Sequence, residues 1–152
     1  MELIKVKLLR DDKFLASHVN TQPGIYRVWC SDDGVEKLLN NQNLLKKKEL
    51  SCMTINIDDK VYHSVYLGIS DNLQRRLKDH IYDQHNKPNY LSTLRKTISV
   101  LISNKKILDT VDEVNDFMDT HCYVEFFYTG CKLSAEILEK LMLSKMSKYS
   151  QF

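Results

Sequence analysis

The sequence predicts an α+β fold of mixed α/β composition, in which a small, mainly antiparallel sheet of three or more strands is flanked by helices. Segments rich in β-branched and aromatic residues, such as "PGIYRVWC", alternate with segments whose apolar residues recur at helical spacing. The stretch "MTINIDDKVYHSVYLGI" has the pattern of a hairpin, which places two strands side by side in opposite directions. The chain has 152 residues, 43% of them hydrophobic, and few glycines or prolines, so we expect one domain over residues 1–152.

The first half of the chain supplies most of the predicted strands. "LIKVKLL", within residues 1–20, predicts a strand that an irregular segment follows, and Pro23-Gly24 form a turn that starts the next strand. "GVEKLLNNQNLLKKKEL" is weakly amphipathic and predicts one or two short helices, broken near Asn40-Asn41. Asp58-Asp59 form the predicted turn of the hairpin.

The second half supplies most of the predicted helices. Asp71 or Asn72 caps the first of them and Ser92 caps the second, "YLSTLRKTISVLIS". "VDEVNDFMD" predicts an acidic helix, "CYVEFFYTG" a strand, and "AEILEKLMLSKM" a last helix that Ser134 caps. Apolar spacing predicts that these helices turn the following residues inward: Leu73, Leu77, His80 and Ile81; Val111, Val114, Phe117 and Met118; Ile137, Leu138, Leu141 and Met142.

Composition also bears on the compartment. No apolar run is long enough to cross a bilayer, and the start "MELIKVKLLRDDKF" lacks the apolar core of a signal peptide, so we expect a cytoplasmic protein. The four cysteines are spread along the chain without a Cys-x-x-Cys pair, which favours buried, reduced thiols over disulfides or a zinc site. They are Cys30, Cys52, Cys122 and Cys131.

The net charge of +2 is unevenly distributed. Residues 72–106 carry +6, and the rest of the chain carries −4. The next stretch, "ILDTVDEVNDFMDT", has five acidic residues and no basic one. This polarised distribution is typical of a protein with one surface that faces an anion. From the charge pattern alone, a set of solvated helix faces is the favoured explanation.

Several short motifs follow one another in a fixed order. "GIY" at 24–26 ends in Tyr26, "YLG" at 66–68 begins with Tyr66, and "LQRRLKDH" places Arg76 and His80 one helical turn apart. A late helix carries Glu139, with Ala135 four residues before it and Leu143 four residues after it. The order and spacing resemble those of the GIY-YIG nuclease family, and the resemblance runs from about residue 23 to about residue 145.

The resemblance implies a divalent-metal-dependent endonuclease that hydrolyses DNA, with a GIY-YIG-like fold and a single metal ion, Mg²⁺ or Mn²⁺. Tyr26 would orient or deprotonate the attacking water, and Tyr66 would hydrogen-bond in the same cluster. Arg76 would stabilise charge on the phosphate, for which a planar and permanently charged guanidinium is suited. His80 would assist proton transfer or fix the site, and Glu139 would hold the metal. Gly68 would let the chain turn tightly beside the substrate.

Each of these residues also has a plain structural interpretation. Either tyrosine alone could be a half-buried sheet residue, and a lone histidine on an apolar helix face is usually part of the core. Glu136, one turn before Glu139, is a second candidate for the metal. Glu125 is a sheet-face carboxylate or part of the site, and we favour the sheet face. The predicted nucleic-acid contacts are Arg75, Lys78, Arg95 and Lys96, with Arg75 exposed and paired to Asp79.

The sequence departs from the family pattern in two places. GIY and YLG are normally joined by a short hairpin, whereas here an insertion of about residues 31–60 separates them. Lys46-Lys47-Lys48 in this insertion would offer phosphate contacts, and a plain structural helix is as good an explanation. The family's C-terminal asparagine is also missing from the tail "SKMSKYSQF".

Two other functions fit these departures. One is a DNA-binding module that keeps the fold but has weak or no cleavage. The other is a protein-interaction domain whose interface is the acidic 109–119 segment. Under the leading hypothesis the protein binds DNA, and no membrane interaction is expected. Duplex, flap, branched junction and RNA substrates stay open, as does the oligomeric state.

Overall fold

The computed structural model describes residues 2–40, 53–82, 92–103 and 110–145. Within these ranges the chain forms an α+β fold with one antiparallel sheet of five strands, as predicted, in the order β1-β5-β2-β4-β3. The strands are β1 (Glu2–Lys5), β2 (Gly24–Ser31), β3 (Thr54–Ile57), β4 (Lys60–Ser70) and β5 (Cys122–Tyr128). The helices are α1 (Val6–Leu9), α2 (Asp12–His18), α3 (Asp32–Asn40), α4 (Leu73–Ile81), α5 (Thr93–Ser103), α6 (Val111–His121) and α7 (Lys132–Lys145).

Strand β2 is the central strand, and it pairs antiparallel with both β4 and β5. The two motif strands therefore pair as in a simple hairpin although an insertion separates them. Part of that insertion is described: it supplies α3 and the edge strand β3. The hairpin from β3 to β4 turns at Asp58 and Asp59, whose φ angles are 50° and 63°, which confirms the predicted turn.

The sheet has two faces of different character. Alternate residues of β2, among them Tyr26, Val28 and Cys30, point to what we call the helix face, where α1 to α6 contribute to the main core. The residues between them, Ile25 and Arg27 included, point to the opposite face. We call this the α7 face, because Leu138, Met142 and Leu143 of α7 pack there around Ile25 and Leu67.

The N-terminal segment differs from the prediction. The strand ends at Lys5, and two short helices follow where an irregular segment was expected. Val6, Leu9 and Leu15 are fully buried, so helical spacing rather than strand alternation buries the apolar residues here. Asp11 caps α2 by accepting a hydrogen bond from the Phe14 N–H at 3.0 Å.

The last helix also differs. It begins at Lys132, so Ser134 lies within its first turn, and the Ser134 N–H donates to Cys131 Sγ. Leu138 and Met142 pack against the sheet as predicted. Ile137 is 54% exposed and Leu141 is 58% exposed, so the inward orientation predicted for these two residues is wrong. Apolar residues occur on several sides of α7, so periodicity could not decide which side meets the sheet.

Three cysteines lie in the described ranges and all are free thiols. Cys30 and Cys122 are buried partners on adjacent strands, whereas Cys131 is exposed, contrary to the prediction of burial. Among the described helices, none is long and apolar enough to cross a membrane. Cys52, Lys46-Lys47-Lys48, the helix break after Asn40 and the C-terminal tail from 146 lie outside the described residues.

Candidate active site

The central strands bring two phenols to the same face of the sheet. Tyr26 pairs with Gly68, and Val28 pairs with Tyr66, so both tyrosines point to the helix face. Their ring centroids are 6.0 Å apart and the rings are stacked. Tyr26 is only 1% exposed, and Tyr66 is half-buried. The inner phenol is therefore shielded while the outer one reaches the surface.

Gly68 makes this arrangement possible. Strand β4 continues through Gly68 to Ser70, so the prediction of a tight turn at this glycine is wrong. The Tyr26 phenol lies directly over the Gly68 backbone, and a Cβ at position 68 would overlap the Tyr26 oxygen and ring. Any side chain at 68 would have to displace the phenol, which gives the glycine a steric role.

Helix α4 brings the next two side chains. Asn72 caps it by accepting a hydrogen bond from the Arg75 N–H at 3.0 Å, which confirms one of the two predicted caps. Leu73, Leu77 and Ile81 have no exposed surface. Burial of each such side chain stabilises the fold by about 1.5–3 kcal/mol, so the helix is held firmly against the sheet.

His80 projects from α4 to the inner phenol. The Tyr26 hydroxyl and His80 Nε2 are 2.5 Å apart, and His80 is 1% exposed. The His80 ring also meets the edge of the Tyr66 ring, with centroids 5.4 Å apart. The histidine is therefore part of the core and of the tyrosine cluster at once, so the two interpretations of His80 do not exclude each other.

Ser92 completes a chain of hydrogen bonds that the sequence did not reveal. His80 Nδ1 lies 2.5 Å from Ser92 Oγ, and the same oxygen accepts the Arg95 N–H at 3.0 Å. The second contact is the predicted cap of α5. When the Tyr26 hydroxyl donates to Nε2, Nδ1 carries the proton and donates to Ser92. Only the capping role had a sequence signal, because the His80 contact depends on how α4 and α5 pack.

Arg76 lies beside both phenols. It is half-buried, and its Nη1 is 3.7 Å from a carboxylate oxygen of Asp79. Burial opposes the charge of Arg76, but hydrogen bonding and attraction to Tyr26 and Tyr66 outweigh it, so the pKa of Arg76 is raised. Burial raises the pKa of Asp79, and Arg76 partly opposes that rise. The guanidinium is permanently charged and partly open to solvent, as a phosphate contact requires.

Burial sets the protonation states of the Tyr26–His80 pair. It raises the pKa of the Tyr26 phenol far above its usual value, and Tyr66 adds to the rise while Arg76 opposes it. Burial, with the charges of Arg76 and Arg95, also lowers the pKa of His80 to about 3. At neutral pH the phenol is protonated and the imidazole is neutral. The pair is therefore uncharged at rest, and its hydrogen bond fixes the orientation of the phenol hydroxyl.

A family comparison agrees with this geometry. A sequence profile described as the GIY-YIG catalytic domain matches residues 24–149, which is most of the chain. The chain belongs to the GIY-YIG nuclease family. Comparison with curated proteins and with solved structures found no significant match. Nuclease chemistry in general is thus supported by membership of the GIY-YIG family.

Glu139 lies apart from the cluster in this GIY-YIG domain. It is on α7, whose Leu138 and Met142 pack on the face of the sheet opposite to Tyr26. Burial raises the pKa of Glu139, and Glu136 adds to the rise, whereas Lys140 opposes it. Among the described residues no contact joins this carboxylate to the tyrosines, the histidine or the arginine. The structure thus brings together Tyr26, Tyr66, Arg76 and His80, but not Glu139.

The metal ligands that this GIY-YIG domain offers are few. In the ranges that the structure covers, no group of three or more His, Cys, Asp or Glu side chains converges on one point. One carboxylate with its neighbour one turn away, Glu139 with Glu136, fits an ion that keeps most of its water ligands. Mg²⁺ is such an ion.

The predicted nucleic-acid contacts have different surroundings. Arg75 is exposed and pairs with Asp71 at 2.7 Å, not with Asp79 as predicted. Lys78 is half-buried and lies 3.0 Å from Asp12, and Lys96 is half-buried. Arg75, Lys78 and Lys96 therefore remain accessible to a phosphate backbone, at least in part.

The prediction that Arg95 contacts DNA is wrong. Arg95 has no exposed surface, and its guanidinium donates to the His80 carbonyl at 3.2 Å and the Val111 carbonyl at 3.4 Å. It ties α4, α5 and α6 together from inside the core. Glu125 lies on the α7 face and accepts a hydrogen bond from Trp29 Nε1 at 2.8 Å, which confirms the favoured sheet-face interpretation.

Proposed function

We propose that this protein is an endonuclease that hydrolyses DNA phosphodiester bonds at the cluster of Tyr26, Tyr66, Arg76 and His80. The observation that carries the proposal is the buried 2.5 Å contact between Tyr26 and His80 beside a half-exposed guanidinium. Phosphodiester hydrolysis needs an activated water and a positive group at the phosphate oxygens. This cluster offers a hydroxyl fixed to orient the water and such a positive group side by side.

Each side chain then has a definite role. Arg76 binds the phosphate oxygens and stabilises the charge that develops on them. Tyr26 orients the attacking water with its hydroxyl, and His80 Nε2 fixes that hydroxyl by accepting its hydrogen bond. Ser92 accepts a hydrogen bond from Nδ1 and keeps the imidazole in the tautomer that accepts from Tyr26. Tyr66 holds the outer side of the cluster.

A divalent cation fits the donor set of α7. GIY-YIG nucleases generally use divalent metals. In this chain Glu139 would hold Mg²⁺ or Mn²⁺, with Glu136 as the neighbouring carboxylate. A cation held there would supply charge neutralisation and help for the leaving oxygen if DNA binding brings α7 and the cluster to the same phosphate. Burial is the main reason that the pKa of Glu139 is raised, and repulsion by Glu136, which a cation would relieve, adds to the rise.

The direct test is plasmid nicking. Supercoiled DNA is incubated with the protein and Mg²⁺ or Mn²⁺, with EDTA as the metal-free control. We expect nicking that EDTA abolishes and that Arg76→Ala and Glu139→Gln each reduce strongly. Lys7→Met and Glu2→Gln remove exposed charges on α1 and β1, away from the cluster and from α7, so as controls both should retain cleavage. Calorimetric titration with Mn²⁺ should also show weaker binding for Glu139→Gln than for Glu136→Gln, which measures the metal site independently of activity.

One observation favours a second candidate function, a DNA-binding module without cleavage. Glu139 lies on a helix that packs on the far face of the sheet from Tyr26. If α7 keeps this position on DNA, its carboxylate does not serve the cluster. Salt-sensitive DNA binding with no nicking in either metal would support this second function over the first.

A further inference from the structure

A cavity of about 110 Å³ lies between the sheet and α7, and Tyr26 is one of the residues that line it. At about 30 Å³ per water molecule it has room for about four waters, or for one compact organic molecule. Its walls combine apolar side chains with two opposite charges. They include Ile25, Arg27, Leu67, Glu125, Phe127 and Met142.

Arg27 lines this cavity with unused hydrogen-bonding capacity. It is only 9% exposed, and its Nε is buried without a hydrogen-bond partner. Across the described residues its guanidinium makes no hydrogen bond and no ion pair. It lies over the Trp29 ring, 5.1 Å from the centroid, which fixes the plane of the group. A buried donor without a partner is costly, so a ligand that accepts from Arg27 would recover that cost.

Glu125 provides the opposite charge on the neighbouring strand. It is the cross-strand partner of Arg27, and it is 8% exposed. Its Oε2 accepts the Trp29 indole N–H at 2.8 Å, and Oε1 is not engaged in a described hydrogen bond. No salt bridge joins Glu125 to Arg27 in the part of the chain that the structure covers. Both charges line the cavity, and Glu125 attracts the Arg27 charge without a direct contact: burial lowers the pKa of Arg27, and Glu125 opposes that change.

A simple anion fits this pair poorly, because Glu125 would repel it. A simple cation would be repelled by Arg27 in the same way. A ligand that carries both charges satisfies both groups at once. We propose that the cavity binds a compact zwitterion of the amino-acid type. Its carboxylate pairs with Arg27, its ammonium group pairs with Glu125, and its aliphatic part lies against Ile25 and Leu67.

The test uses the full chain without DNA, so its result does not depend on nuclease activity. Trp29 is the only tryptophan, and both Arg27 and Glu125 contact it, so its fluorescence reports directly on the site. The probe is L-valine, with calorimetry as the second readout. Isovalerate lacks the ammonium group of valine, and isobutylamine lacks the carboxylate. We expect L-valine to bind saturably and more tightly than either analogue.

Two variants identify the groups. Arg27→Met should weaken L-valine binding about ten- to a hundredfold, the effect of losing a charged hydrogen bond. Glu125→Gln keeps the shape, and it should weaken L-valine binding while strengthening isovalerate binding. Lys7→Met, which removes an exposed charge on α1, should change neither. Thermal melts of each variant confirm that it is folded.

Three outcomes would overturn the proposal. The first is the absence of a saturable response to L-valine up to about 20 mM, a concentration that would nearly saturate a site with a dissociation constant of about 1 mM. The second is equal affinity for L-valine and isovalerate in the unmodified protein. The third is equal affinity for L-valine in the unmodified protein and Glu125→Gln, which would remove the role of the second charge even if Arg27→Met failed to fold.

Discussion

The phenol of Tyr26 lies over the backbone of Gly68, and no other residue type at 68 leaves room for it. The two residues are direct partners on β2 and β4. They belong to the two halves of the family motif, so the glycine of one half serves the tyrosine of the other. This explains in steric terms why the motif needs both halves on neighbouring strands.

Gly68→Ala should therefore damage the site without touching a polar group. The new methyl group collides with the Tyr26 ring, and overpacking of this kind costs about 1–3 kcal/mol of folding free energy. We expect lower stability in urea and strongly reduced nicking. In a Tyr26→Leu background, which removes the overlapping atoms, the stability cost of Gly68→Ala should shrink. An equal cost in both backgrounds would contradict the steric explanation.

Tyr26→Phe isolates the hydroxyl. The ring remains in the core, so the fold and DNA affinity should change little, whereas loss of the hydroxyl that orients the attacking water should slow cleavage about a hundredfold or more. Tyr62→Phe is the matched control, because Tyr62 is a sheet tyrosine that contacts Tyr123 outside the cluster. Binding is measured by fluorescence anisotropy and cleavage by single-turnover nicking. Equal losses in both assays would make Tyr26 a structural residue.

Ser92→Ala separates the capping role from the contact with His80. Loss of a cap costs about 1 kcal/mol of stability. Asn72→Ala removes the cap of α4 and should cost a similar amount, but it leaves the His80–Ser92 contact intact. We expect cleavage to fall about tenfold more in Ser92→Ala than in Asn72→Ala, and Ser92→Thr to restore it. Equal cleavage in the two alanine variants would reduce Ser92 to a cap.

His80 should make stability depend on pH. Its pKa falls from 6.5 to about 3 on folding, so between these values the unfolded chain binds a proton that the folded chain does not. Stability is complete above about pH 6.5 and falls by about 1.4 kcal/mol per pH unit below it. Urea unfolding between about pH 7 and pH 5 measures the slope, and His80→Gln should lower it by about this amount. Identical slopes would contradict burial of a neutral imidazole.

The two arginines predicted to contact DNA should now behave differently. Arg75→Ala removes an exposed charge, so we expect weaker DNA binding and a salt dependence reduced by about one counterion. Arg95→Met removes a buried guanidinium with several carbonyl partners, so we expect lower stability with little change in that salt dependence. Anisotropy titrations at several salt concentrations distinguish them. A smaller salt dependence for Arg95→Met would reverse the assignment.

The sheet could be predicted from local patterns, whereas the meeting of Tyr26 and Tyr66, forty residues apart, was expected only from the resemblance to the GIY-YIG family. Strand alternation, the Asp58-Asp59 turn and the four-residue spacing from Arg76 to His80 are all short-range features. The orientation of the side chains on α7 and the burial of Arg95 could not be predicted from the sequence. Both depend on which neighbour covers a helix, and a basic or apolar residue on a mixed helix does not reveal that. The His80–Ser92 contact could not be predicted for the same reason, because it depends on how two helices pack together.

The start of α5 has a practical consequence for attempts to move this chemistry elsewhere. A graft of residues 24–81 onto another scaffold would carry both phenols, the guanidinium and the imidazole. It would leave Nδ1 of that imidazole without the oxygen that Ser92 supplies. A transplanted site needs the serine at position 92 as well, although Ser92 is not part of the sequence motif.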